Sequence, residues 1–438
     1  MYSEIDMFTD LLFEELSQLI ESKRYVEINP GKQVIEDLAS IGFWINDIPQ
    51  QDVDDKTVIA IDGGSGREEL SGGGALYITR AIAVFSNGTK PVRELKVELT
   101  RYRSPGYLDL LRTYTEISVA RKSINFADDN TILLVDGSLF VTLIKSLMRI
   151  IKPYIKRDRL SLGELKSFTL AVKLFIELYQ LIRKSQENNV KLAFVSKNSS
   201  LRILKEYLLY LKLKELGENE IAKYLLNYPA RGRGYIIRRY ISINREHKLR
   251  YILELLLNTT YRDLHLVDDV SQGNRGRTKP LIAGLVNDVV EGVLRRNSLE
   301  LIVREIAKYS NEADRSFLEL YQDVLDDYLR KLPAISITYL KLNPLDYALM
   351  VETIDKDNKF IEVKRVLRNL TSDEEVIMSR IAKDYKSPKY YNTWLIQAHQ
   401  LAKLSARQMR QYIMIMDGVL RKYGFSIPLS RRYSIGVG

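Results

Sequence analysis

The chain has 438 residues, no cysteine, and a formal charge of +10 from 66 basic and 56 acidic side chains. That length suffices for a large core and sets two or three domains as the prior. Without cysteine there is neither a disulfide framework nor a thiolate metal site, so any metal must be held by carboxylates, imidazole and water.

From the N-terminus, MYSEIDMFTDLLFEEL is acidic and amphipathic, unlike a secretory signal, and it opens a helix over roughly 5 to 23. A short helix near 32 to 41 and the polar QQDVDDK lead to a first strand at 57–62. The triple glycine at 72–74 turns the chain into a second strand, ALYITRAIAVF, and Asn87-Gly88 makes the hairpin into a third, VRELKVELTRYR. Ser104-Pro105 has the form of a helix start, and that helix runs to about 123. A fourth strand at 131–136, helices at about 139–152 and 162–188, and a fifth strand at 190–197 follow. The apolar run ILLVDGSLFVTLIKSLMRII carries Asp136, Lys145 and Arg149, and reads as a buried strand and helix rather than a membrane span. The expected location is the cytoplasm.

Residues 201–332 read as mostly helical, with breaks around 228–235 and 268–280. The sheet resumes at 334–342 and 347–354, and a last helical portion spans 372–424. The expected fold is therefore α/β: a ribonuclease-H-like mixed sheet with flanking helices, a largely helical insertion and C-terminal helices. The expected divisions are an N-terminal helical segment 1–56, the first part of the core 57–200, the insertion 201–332, a return to the core 333–425 and a tail 426–438.

Two aspartates stand out. Asp62 in VIAIDGGSG and Asp136 in TILLVDGSL each end an apolar strand and precede glycine, which permits close approach of a backbone or a phosphate. If those strands are adjacent and parallel, both carboxylates emerge at one edge. Glu116 is the only glutamate on its helix and is the natural third acid if that helix crosses the same edge. Late in the chain His399, one of three histidines, could bind metal as neutral imidazole or handle a proton. Cleavage of a phosphodiester develops charge on the attacking and leaving oxygens, which two divalent ions held by converging carboxylates can stabilise. Mn²⁺ and Mg²⁺ suit such oxygen ligands.

Each residue also has a plainer reading. A single Asp-Gly at a strand end is usually a turn. A glutamate on an amphipathic helix is usually solvated, and a histidine among apolar neighbours usually belongs to the core. Tyr391 could simply pack, and Lys197 in VSKNSS could contact phosphate or cap a helix. His247 and His265 lie in no motif and read as structural.

Taken together, IAIDGGSG, LLVDGSL, AFVSKNSS and KYYNTWLIQAHQLAKLS resemble the NurA nuclease family, with similarity running from about 57 to 410. The resemblance implies a metal-dependent deoxyribonuclease acting 5′ to 3′, with single-strand endonuclease activity, in DNA end resection and double-strand break repair. It implies Asp62, Glu116, Asp136 and His399 as metal ligands, and Tyr391 beside them in the catalytic set. The eight-residue spacing of Tyr391 and His399 predicts nearby faces of one helix, about two turns apart. A homodimer and a HerA-type hexameric ATPase are the implied protein partners. No GxxxxGK[ST] occurs, so ATP-driven movement would come from the partner.

Basic residues cluster in YPARGRGYIIRRY (228–240), NRGRTK (274–279) and SRRY (430–433), and the first and last of these also carry tyrosine, as suits a nucleic-acid surface. Lys197, Arg231, Arg233, Arg238 and Arg239 are the expected DNA contacts, the last four alongside Tyr228, Tyr235 and Tyr240. Two rivals remain. VIAIDGGSG and LLVDGS also resemble the phosphate loops of actin-like kinases, and a non-catalytic DNA-binding scaffold would keep the basic loops without hydrolysis.

Overall fold

The computed structural model describes residues 32–70, 74–100, 106–156, 160–222, 237–240, 247–285 and 288–424. After α1 (Lys32–Ala39) and the short β1 (Trp44–Ile45) come β2 (Thr57–Glu69), β3 (Ala75–Phe85) and β4 (Val92–Thr100). Then follow α2 (Tyr107–Ser123), β5 (Thr131–Asp136), α3 (Leu139–Lys156), α4 (Leu162–Glu187) and β6 (Lys191–Ser196). The helical stretch holds α5 (Ile203–Glu215), α6 (His247–Leu257) and α7 (Asp263–Ser271), then β7 (Gly276–Thr278) and β8 (Leu281–Ala283). It ends with α8 (Asp288–Leu294), α9 (Leu299–Ala307), α10 (Glu312–Tyr321) and α11 (Leu325–Lys331). The chain closes with β9 (Pro333–Lys341), β10 (Leu349–Lys359), β11 (Arg365–Leu367), α12 (Ser372–Asp384), α13 (Thr393–Ala402) and α14 (Ala406–Lys422).

Among the described residues the strands form one mixed sheet of 11, in the order β1-β7-β9-β10-β6-β5-β2-β3-β4, with β8 pairing β9 and β11. Its centre is the ribonuclease-H-like arrangement expected: β2, β3 and β4 form an antiparallel meander, and β5 and β6 add on in parallel beside β2. β10 and β9 extend the far side antiparallel. Four short strands were not foreseen. Three of them, β1, β7 and β8, join the sheet from outside the long apolar runs, and β7 and β8 come from the stretch read as mostly helical. The first strand also runs seven residues beyond its expected end at Asp62, through the glycines and on to Glu69. The expected helix at 5–23 and the Ser104-Pro105 start lie outside the described residues.

Alternation along the strands distributes the core to both faces. Ile59, Ile61, Leu133 and Val135 enter the core beneath α2, α3 and α4. Val58, Ala60, Ile132 and Leu134 enter the opposite core beneath α12 and α13, with Ile377, Ile381, Leu395 and Ala398. On that second side α14 covers Leu76 and Ile78 with Met409 and Ile413. No helix among the described residues is long and apolar enough to cross a membrane.

Candidate active site

Strand parity and register explain why the two aspartates meet. Asp62 continues the row of Val58 and Ala60, and Asp136 continues the row of Ile132 and Leu134, so both point to the α13 side. The parallel pairing of Ile61 with Val135 sets the two rows level. One ligand atom from each of Asp62, Asp136 and His399 lies within 4.8 Å of the others. Nδ1 of His399, on α13, is 2.6 Å from Oδ2 of Asp62, whose other oxygen accepts the backbone N–H of Gly63 at 2.7 Å. The Tyr391 hydroxyl donates to Oδ2 of Asp136 at 3.0 Å.

Tyr391 is not on the helix of His399, contrary to the spacing argument. It precedes Asn392, whose side chain caps α13 by accepting from the N–H of Trp394 and Leu395. The Tyr391 ring is buried, and the hydroxyl reaches the sheet from the segment before the cap. Withdrawal from water and the neighbouring Asp136 charge push its pKa upward, so it stays a donor.

Glu116 arrives from the other face. Gly63 sits on the α2 side of β2, and a Cβ there would meet Oε1 of Glu116 at 2.4 Å, so the glutamate carboxyl occupies the place of a side chain. Its Oε1 is 3.5 Å from Nε of Arg112, and it stands outside the three-residue group above. Burial pushes the Glu116 pKa up to about 8; Arg112 opposes that, while Asp62 and Asp136 add to it. Asp136 is likewise pushed up to about 6, by withdrawal from water and then by Asp62, against Tyr391, Lys197 and His399. Crowded acids such as Glu116 and Asp136, each raised in part by the Asp62 charge, belong to a donor set suited to a divalent cation, which would stabilise their ionised forms. Carboxylate oxygens with one imidazole fit Mn²⁺ or Mg²⁺.

The acids lie in a cavity of about 800 Å³ between α2 and α3, which Arg112, Lys145, Arg149 and Lys197 also line. Lys197, exposed just past β6, stands 5.0 Å over the Tyr391 ring. Arg238 and Arg239 are exposed and are not brought to this cavity, whereas Arg231 and Arg233 lie outside the described residues. Tyr240 donates to Glu218 at 2.6 Å, and Tyr228 and Tyr235 lie outside the described residues. His265 accepts the N–H of Arg262 at 3.0 Å and stacks on Tyr261, a structural setting.

Two residues that hold the site were missed. Arg80, on β3, donates to the carbonyls of Ala402 (2.8 Å) and Lys403, binding the C-terminal end of α13 to the sheet. Glu352, fully buried on β10, accepts from the Ser138 hydroxyl at 2.8 Å and from the N–H of Leu139, tying down the loop after Asp136. Both could have been noticed as lone charges inside apolar strand runs, ITRAI and MVETI.

Burial pushes the Glu352 pKa from 4.5 to about 7, while hydrogen bonds from Ser138, Leu139 and Phe140 act in the opposite direction. A carboxyl with a folded value above its unfolded one adds stability that is complete below about 4.5 and is lost as pH rises through about 7. Wild type should therefore lose melting temperature relative to Glu352→Gln between pH 5 and 8. Thermal melts that run parallel across that range would contradict this reading. Glu352→Ala should in addition lower turnover by roughly 10- to 100-fold by releasing the Asp136 loop.

The family model of the NurA domain matches residues 56–404. The crystal structure of the NurA nuclease from Sulfolobus solfataricus is 14% identical, covers 94% of this chain and 97% of its own, and superposes with a TM-score of 0.53. A second NurA crystal structure is 13% identical over 94% of this chain and 96% of its own, TM-score 0.44. One of NurA bound to dAMP and manganese is 14% identical over 94% and 96%, TM-score 0.35. No curated protein matches. With four-fifths of its length matched by that model, the chain belongs to the NurA family.

Proposed function

We propose that this metal-dependent nuclease degrades DNA from its ends in the 5′ to 3′ direction, serving end resection in double-strand break repair. The observation that carries the reading is the convergence of Asp62, Asp136 and His399 within 4.8 Å inside a NurA-type domain. Asp62, Asp136 and His399 would hold Mn²⁺ or Mg²⁺, with Glu116 as the third carboxylate, and the bound ion supplies charge stabilisation at the phosphate and an acidified water. Tyr391 orients Asp136 through its hydroxyl, and Asp62 orients the His399 ring through Nδ1. Lys197 offers a cation to the phosphate beside the cluster, and Arg231, Arg233, Arg238 and Arg239 form a further DNA contact. A homodimer working with a HerA-type ATPase in the cytoplasm completes the proposal, since the chain has no nucleotide-binding P-loop of its own.

Family membership removes the basis of the kinase and scaffold alternatives. Incubation of end-labelled DNA with the purified chain tests the reading: cleavage with Mn²⁺ and none with EDTA is expected. Absence of cleavage together with tight ATP binding would reverse it. Within the site, His399→Ala should reduce kcat far more than DNA affinity, as for a group acting at the transition state. Equal loss in both would assign His399 to substrate binding instead.

A further inference from the structure

The helix that follows Asp136 has an unusual charge pattern. α3 contains Lys145, Arg149, Lys152 and Lys156 and no acidic residue. Ser138, Thr142, Lys145 and Arg149 succeed one another at helical spacing along the wall of the cavity that holds the acids. Lys152 lies on the same stripe one turn further out, and both Lys145 and Lys152 are exposed. Neither has a carboxylate partner among the described residues. The opposite face of α3 is anchored by Leu139, Leu143, Leu147 and Ile150, all fully buried, so the stripe is held rigidly. Arg149 is partly buried and donates to the Gly106 carbonyl at 3.2 Å, bracing the stripe against the start of α2.

We propose that this face of α3 is a phosphate track that holds one DNA strand leading away from the Asp62–Asp136 cluster. The inference rests on the nuclease reading and adds a substrate-binding surface to it. Repulsion by the acids is unfavourable for a polyanion, and a row of cations beginning beside them supplies compensating attraction. From Lys145 to Lys152 the helix rises about 10 Å, or about three nucleotides at the stacked spacing of about 3.4 Å per phosphate. A cavity of about 800 Å³ is the size of a small-molecule site and takes a few nucleotides of one strand, not a duplex.

The test compares the full-length wild type with the double variant Lys145→Gln/Lys152→Gln, binding fluorescent oligo-dT of 3 and 12 nucleotides in Ca²⁺ over a salt series. Wild type should gain affinity with length, and the variant should lose most of that gain. The slope of log affinity against log salt should become shallower by about 0.7 per lost contact, or about 1.4 in all. Lys145→Arg/Lys152→Arg should restore both, which a merely structural disturbance would not allow. An unchanged slope and length dependence in the glutamine variant, with wild-type cleavage in Mn²⁺ intact, would overturn the track alone. Failure of the wild type to bind or cleave the 12-mer would overturn the nuclease reading and the track with it.

Discussion

Alanine at Asp62 or at Asp136 is expected to remove Mn²⁺-dependent cleavage of end-labelled DNA, by on the order of a thousandfold. The loss follows from several kcal/mol of metal-borne charge stabilisation forfeited at the transition state. The fold should survive, because Asp136 ends its strand, Asp62 faces the cavity from within β2, and the side chains that precede each of them are fully packed. Removing Asp62 also relieves part of the repulsion that raises Glu116 and Asp136, and removing Asp136 relieves part of that on Glu116. Circular dichroism and the melting temperature in EDTA check that part. Near wild-type cleavage by both variants would remove these residues from the site.

Gly64→Ala is expected to do nearly as much damage without touching an ionisable group. A Cβ at this position would lie 2.0 Å from the Ala402 carbonyl oxygen, a backbone atom that cannot swing aside. Either β2 or the end of α13 must move, and α13 carries His399. Overpacking of this kind costs about 1–3 kcal/mol of stability. Displacement of a catalytic group by about 1 Å costs around a hundredfold in rate. Gly63→Ala should act through a different partner, since its Cβ would fall on the Glu116 carboxyl. Comparing kcat for the two variants with their melting temperatures separates misplacement from unfolding; a fully active Gly64→Ala enzyme would contradict the packing described.

Those two glycines show how far the sequence could be read. That glycine after Asp62 permits close approach was legible, but which atoms approach was not, because Glu116 and Ala402 lie far along the chain. The central strands were legible because long apolar runs carry a local signal, whereas the parallel placement of Asp62 beside Asp136 was only a condition, since pairing is decided by tertiary register. The short strands β1, β7, β8 and β11 were not, since two or three residues have no periodicity and their pairing is decided by tertiary contact. Tyr391 was identified as a site residue through family resemblance, yet its position before the helix depended on the Asn392 cap, which the eight-residue spacing does not reveal. Glu352 and Arg80 went unnoticed for a related reason. They act on backbone groups, and nothing in the sequence marks which backbone will be nearby.

The central claim is that Asp62, Asp136 and His399 form a divalent-metal site. Anomalous diffraction from crystals soaked in Mn²⁺ tests it most directly. The account predicts a manganese peak among these three side chains, at ligand distance from the two carboxylates, and its loss in Asp136→Asn. A peak elsewhere on the chain, or no peak here at saturating Mn²⁺, would contradict it.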